Sequence, residues 1–324
     1  MFRKLVLLML GLSLALTACG GSQSQNDALT RVRLPMGYIP NIQYAPFYVT
    51  VAKGYFADAG IEIEFDYSFE TKGVELVAAD KLPFAVVSGE QVLLARAQGL
   101  PVTYIAAWYQ QYPVSVVAKS ELGVVVPPDL RGQKIGLPGL FGASYIGLRA
   151  LLDAGKLTEA DVMLDAIGFN QVELMAAGQQ NVIVGYAANE PIQLRAMGIP
   201  VTEVRVGDYV SLAANGLLTN EKTIAENPEF ARAFVEAFLK GLRDTIVNPD
   251  EAFEISAAFI PSFSELDAEV QKKVLEVSVE QWKAERLGYS DPRAWENMQE
   301  ILLSMGLLPD RMDLSKAFTN EFVP

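Results

Sequence analysis

The chain has 324 residues, 26 basic and 39 acidic side chains, a net charge of −13, one cysteine and no histidine. That length suffices for two domains with sizeable cores. Without histidine, Ser-His-Asp and Cys-His catalysis are excluded and nearly all zinc sites go with them, while the acid excess argues against nucleic acid, whose phosphates need clustered lysine and arginine.

Residues 1–18 read as an export signal. Arg3 and Lys4 form a short basic region, and residues 5–18 are a weakly polar to apolar run shorter than the roughly 20 helical residues that span a bilayer. The run ends Leu16-Thr17-Ala18-Cys19-Gly20, the pattern of a bacterial lipoprotein signal in which Cys19 is acylated and becomes the first residue. An ordinary secretory signal beside an incidental cysteine is the alternative. Residues 19–30 are expected to be a flexible tether. Without residues 1–18 the balance is 24 basic against 39 acidic residues. No later stretch is apolar enough to cross a membrane, so the expected location is the extracytoplasmic face of the cell membrane, held by lipid on Cys19.

Residues 32–36 are predicted as a strand, 37–41 as a turn, 43–52 as a helix stopped by Lys53-Gly54, and 61–67 as a strand with alternating Ile61, Ile63 and Phe65. In open α/β sheets, ligands sit at the carboxyl ends of strands and at helix N-termini. Tyr38, Asn41 and Tyr44 would stand there. Further strands are predicted at 84–88, 102–108, 114–119, 133–137, 181–186, 201–206 and 212–219. Helices are predicted at 90–98, 143–153, 173–177 and 191–197. From residue 227 onward the chain reads as helices. The first carries Phe230, Phe234, Phe238 and Leu242 at spacings of four, a core-facing stripe. Tyr48, Tyr55, Phe56, Trp282 and Trp295 read as packing residues.

Strands alternating with helices imply parallel sheets with covered faces. The expected fold is α/β, with two lobes joined by a hinge of two crossover segments near residues 117–124 and 205–217. Lobe one would be residues 31–119 plus 213–324, and lobe two residues 120–212.

Residues 37–61 also carry a family resemblance. Gly37-Tyr38-Ile39-Pro40-Asn41-Ile42-Gln43-Tyr44-Ala45, then Lys53-Gly54-Tyr55-Phe56 and Gly60-Ile61, resemble the solute-binding proteins of ABC importers related to ThiY and SsuA. That family also includes fungal pyrimidine-precursor synthases. The likeness runs along nearly the whole chain after residue 30 and is greatest to the riboflavin-binding, RibY-type branch. It implies a type-II periplasmic-binding-protein fold and an ABC permease subunit as membrane partner. Gly185-Tyr186-Ala187-Ala188-Asn189-Glu190-Pro191 matches the strand end at which pyrimidine-binding relatives hold the ring amine by a glutamate, so Glu190 takes that role by resemblance. As a residue alone, Glu190 has a second reading, a cap of the helix opening at Pro191, with ligand contact preferred. The histidine and cysteine-rich segment of the synthases have no counterpart here.

Ligand pockets prefer domain interfaces. The candidate ligand contacts are Tyr38, Asn41, Tyr44, Ser88, Trp108 and Tyr109 from lobe one, and Phe141, Tyr145, Tyr186, Asn189 and Glu190 from lobe two. Aromatic faces at these loops suit a flat ring, and the scarcity of charge, with Glu190 as the main charged group, disfavours an anion. The expected function is a lipid-anchored, monomeric solute-binding protein that closes on a heteroaromatic vitamin. Riboflavin comes first, because the number of aromatics suits a ligand larger than one pyrimidine. A thiamin pyrimidine precursor is the alternative, and an alkanesulfonate or a synthase activity is disfavoured. No cofactor and no metal are expected. Glu190→Ala is expected to weaken binding at little cost to the fold.

Overall fold

The computed structural model describes residues 29–261 and 263–324, so the signal segment, Cys19 and the tether up to residue 28 lie outside the described residues. The first part of the chain runs β1 (Thr30–Gly37), α1 (Ala45–Ala52), α2 (Tyr55–Asp58), β2 (Ile61–Phe69), α3 (Glu70–Ala78), β3 (Ala85–Val87), α4 (Gly89–Ala97) and β4 (Val102–Ala107). Next come β5 (Val114–Lys119), β6 (Lys134–Leu137), α5 (Gly142–Ala154), β7 (Met163–Ala166), α6 (Gln171–Ala176), β8 (Val182–Tyr186), α7 (Glu190–Ala196) and β9 (Val201–Arg205). The chain closes with β10 (Gly216–Asn220), α8 (Glu221–Glu226), α9 (Pro228–Val247), α10 (Pro249–Ser256), α11 (Ala268–Trp282) and α12 (Pro292–Ser304).

β1 and β2 pair in parallel. β10 lies between β3 and β4, antiparallel to both. The remaining strands form a sheet of order β7-β6-β8-β5-β9, in which β6 is parallel to β7 and β8 while β5 is antiparallel to β8 and β9. Only the β1–β2 pair is thus wholly parallel, as the strand–helix alternation suggested; the β3-β10-β4 pairings are antiparallel and the five-stranded sheet is mixed. The cause is the double crossing between lobes: strands β5 and β10 each enter a sheet already set by βα units, and each enters against its direction.

The lobe boundary also shifts. β5, expected in lobe one, is hydrogen-bonded on both edges within the second sheet. The outward crossing is thus residues 108–113, ahead of β5 and not after it. The return crossing covers residues 206–215. There the predicted strand at 212–219 begins only at Gly216, and Leu212–Asn215 form an extended connection.

The first lobe's core is aromatic. Phe47, Tyr48, Phe56, Phe84, Phe234, Phe238, Trp282 and Trp295 are all buried. Phe84 stacks on Phe234 at 3.9 Å between ring centroids, and Tyr48 stacks on Phe259 at 4.8 Å. Rings buried in offset and edge contacts contribute beyond their area, and the α9 stripe read from the sequence supplies several of them. No described helix is long and apolar enough to cross a membrane.

Candidate ligand-binding site

A cavity of about 900 Å³ of empty space, counted out to its open mouth, lies between the two lobes. Its walls come from strand ends and the helix starts that follow them. Tyr38, Asn41 and Tyr44 follow β1; Phe69 and Glu70 join β2 to α3; Trp108 and Tyr109 follow β4. Opposite them, Phe141 precedes α5, Phe169 precedes α6, and Tyr186, Asn189 and Glu190 join β8 to α7. Helix N-termini converge here from both lobes, with free backbone N–H groups and the positive end of the helix dipole.

The inner wall is a run of rings. Tyr44 stacks on Trp108 at 5.5 Å and 27°, Trp108 meets Tyr109 edge-on at 4.7 Å, and Tyr109 meets Tyr186 edge-on at 6.2 Å. The polar ends of the three tyrosines are tied down, whereas Trp108 Nε1 is buried without a hydrogen-bond partner among the described residues. The Tyr44 hydroxyl donates to the Met36 carbonyl at 2.7 Å, Gln43 Nε2 donates to the Tyr109 hydroxyl at 3.1 Å, and the Tyr186 hydroxyl donates to Asn215 Oδ1 at 3.2 Å. Asn41 caps the short helical turn before α1, its Oδ1 accepting from the Gln43 N–H at 2.9 Å. Its side-chain NH₂ has no part in that cap.

The rim joins the lobes directly. Tyr38 meets Phe169 edge-on at 4.7 Å, and Phe69 contacts Phe169 at 5.5 Å and Phe141 at 5.7 Å. Phe69 and Phe141 remain about half exposed, at 49% and 47%.

Two carboxyl groups face this space from opposite lobes. Glu190 Oε2 accepts from the Tyr186 N–H at 2.7 Å and Oε1 from Asn189 Nδ2 at 3.3 Å. The approach is close enough that a Cβ on Gly185 would lie 2.6 Å from Glu190 Oε2, so only glycine fits there. Burial pushes the Glu190 pKa up to about 7, against the hydrogen bonds that lower it. Glu70 Oε2 accepts from the Ser88 N–H at 3.1 Å and from the Ser88 hydroxyl at 2.5 Å, and Oε1 accepts from Asn215 Nδ2 at 3.2 Å. Burial first, and the neighbouring Glu90 charge second, push the Glu70 pKa up to about 8. Gly37 has φ +84, and a Cβ there would stand 2.6 Å from Glu70 Cγ. No lysine or arginine is among the described residues that line the cavity.

Of the eleven residues expected at the site, nine line this cavity: Tyr38, Asn41, Tyr44, Trp108, Tyr109, Phe141, Tyr186, Asn189 and Glu190. Ser88 does not. It is wholly buried behind Glu70, which it positions. Tyr145 does not either, because its hydroxyl turns to Glu159 and accepts from Arg149 Nη1 at 3.1 Å on the outer side of α5. The sequence reading passed over Phe69, Glu70, Phe169 and Asn215. Phe69 continues the alternation Phe65, Tyr67, Phe69 by one step beyond the predicted end of β2. Glu70 is thus a second carboxylate in a site where Glu190 was expected to be the main charged group. Glu190 is both things the sequence allowed: it opens α7, with Asn189 at the N-cap position, and it faces the cavity. Among the described residues no group of three or more Asp, Glu, Cys or His side chains is placed to hold a metal.

Residues 41–252 match the family described as NMT1/THI5 like. The chain belongs to this family. It is 46% identical over 304 residues to the riboflavin-binding protein RibY of Chloroflexus aurantiacus, covering 91% of this chain and 87% of that one. It is 26% identical to the formylaminopyrimidine-binding protein of Halalkalibacterium halodurans, covering 91% of each. Among solved structures, the alkanesulfonate-binding protein SsuA of Xanthomonas axonopodis pv. citri bound to MOPS superposes with a TM-score of 0.71 at 14% identity, over 90% of this chain and 98% of that one. The last likeness establishes the periplasmic-binding-protein fold of this family member and nothing about its ligand.

Proposed function

We propose that this protein is the lipid-anchored solute receptor of an ABC importer, and that it captures riboflavin without chemical change. The observation that carries the reading is the cavity itself. Eight aromatic rings surround a space with two carboxyl groups and no lining cation. A tricyclic ring held by stacking suits such walls, and its N–H groups suit carboxylate acceptors. The 46% identity with a riboflavin-binding relative supports the same ligand. Binding closes the lobes about the crossings at residues 108–113 and 206–215 as a hinge, and the closed protein, a monomer, delivers the ligand to a permease subunit. Acylation of Cys19 holds it at the extracytoplasmic face of the membrane. A synthase activity is disfavoured by the absence of histidine and of a second cysteine, and no cofactor takes part.

A thiamin pyrimidine precursor is the second reading, favoured by the placement of Glu190 at the β8 end and by the formylaminopyrimidine-binding relative. Titrating the protein lacking residues 1–19 into riboflavin separates the two. Quenching of flavin emission that saturates at one equivalent supports the first reading. No quenching, with a thermal shift on adding aminopyrimidines, moves the ligand to the second. Silence with both overturns the aromatic cleft as a ligand site.

A further inference from the structure

A second compartment adjoins the aromatic cavity. Tyr38, Asn41, Phe169, Gln171, Asn189 and Glu190 face both spaces. Beyond that shared wall no further aromatic ring lines the second space; Glu173, Gln193 and Gln271 stand there among six apolar side chains, around about 630 Å³ counted out to its mouth.

Gln271 carries the inference. It projects from α11 with only 8% of its surface exposed, and its side chain lines this space. Gln193 commits only its Nε2, to Asn189 Oδ1 at 2.8 Å. Amides both donate and accept, and carboxylates accept, which is the complement of a row of hydroxyl groups. No lysine or arginine lines this space either, so a phosphate would find no countercharge.

We infer that the second compartment takes an uncharged, hydroxylated chain attached to the ring in the aromatic cavity. This rests on the heteroaromatic reading of the main cavity and extends it: the ligand is recognised in two parts, ring and polyol, on either side of the Tyr38–Phe169 contact. The polyol part decides between ligands that share a ring.

The test compares riboflavin, which has a ribityl chain, with lumiflavin, the same isoalloxazine ring with a methyl group in its place. Both are titrated against wild type, Gln271→Leu and Gln193→Met, with melting curves to confirm folding. Expected is a rise in the riboflavin Kd of about tenfold in each variant, the scale of one lost hydrogen bond, with the lumiflavin Kd unchanged within about twofold. If one variant fails to fold, the other still decides. Equal affinity of wild type for the two flavins, or equal weakening of both by the variants, overturns the second compartment while leaving the ring site intact. Wild type that binds neither flavin overturns the vitamin reading, and this inference with it.

Discussion

Glu70 and Glu90 are joined through one hydroxyl group. Ser88 Oγ lies 2.5 Å from Glu70 Oε2 and within hydrogen-bonding distance of Glu90 Oε1, yet it carries a single hydrogen. If Ser88 donates to one carboxylate, the other carboxyl must donate to Ser88, so at least one of the two is protonated. Both are buried and both have raised pKa values. The arrangement reaches the cavity through Glu70 and the returning crossover through Asn215.

A pH dependence follows from Glu70 and Glu190. Their folded pKa values, about 8 and about 7, lie above the ordinary 4.5. Between these limits the folded state holds protons that the unfolded chain has released. The ligand-free protein therefore loses stability as pH rises from about 4.5 to about 8, by up to about 1.4 kcal/mol per pH unit for each group. Melting curves from pH 5 to 9 should show Tm falling, and Glu70→Gln should flatten the fall. A slope in Glu70→Gln as steep as that of wild type would remove Glu70 from the effect.

Replacing Glu190 should separate binding from folding. Glu190→Gln keeps an acceptor for the buried Tyr186 N–H and should leave Tm within a few degrees while lowering ligand affinity about tenfold, because a neutral acceptor replaces a charged one. Glu190→Ala orphans that N–H and should lose about 1–3 kcal/mol of stability as well. This exceeds the mild cost expected from sequence for Glu190→Ala, because the side chain accepts from the backbone at the β8–α7 junction. Equal stability of both variants would show that the N–H finds another partner.

The rim should act on rates. Phe69 is half exposed and makes two ring contacts with the opposite lobe, each worth about 0.5–1.5 kcal/mol. Phe69→Ala should speed ligand dissociation about tenfold and leave the unliganded Tm nearly unchanged. Stopped-flow dissociation with excess competitor measures it, and an unaltered rate would mean the rim contacts persist equally in the open state.

Ligand charge should matter strongly. Adding a phosphate to riboflavin places an anion in a space with carboxyl groups and no lining cation, and an unpaired buried charge costs several kcal/mol. Calorimetry should find flavin mononucleotide bound at least about 100-fold more weakly than riboflavin. Equal affinities would show that the phosphate reaches solvent.

Much of this was legible in residues 34–66 and 181–191, where regular alternation, Pro and Gly punctuation and strand-end aromatics coincide. What escaped has local causes. α3 starts directly at Glu70, with Phe69 as an N-cap that offers no side-chain acceptor, so the start signal of a helix is missing and Glu70 stayed invisible. β7 has four residues and none is fully buried, too little pattern to place Phe169 at a strand end. The roles of Ser88 and Tyr145 depend on which way a side chain turns. Residue spacing puts both near the cleft, but Glu70 and Glu159 decide their orientation. β5 reads as an ordinary buried strand, and only its pairing with β8 and β9 assigns it to a lobe.

The position of β10 bears on how the chain acquires its structure. This strand sits between β3 and β4 and completes their sheet, with Leu218 opposite Tyr104 across the whole of the intervening lobe. A nascent chain that has not yet reached Gly216 has both outer strands and nothing to join them, whereas the inserted sheet is complete once β9 has emerged. The inner lobe can therefore fold first and on its own, and the outer lobe, whose closure must wait for a contact so distant in sequence, folds late and slowly. Deletions that stop short of residue 216 should leave one folded lobe carrying an unstructured N-terminal arm.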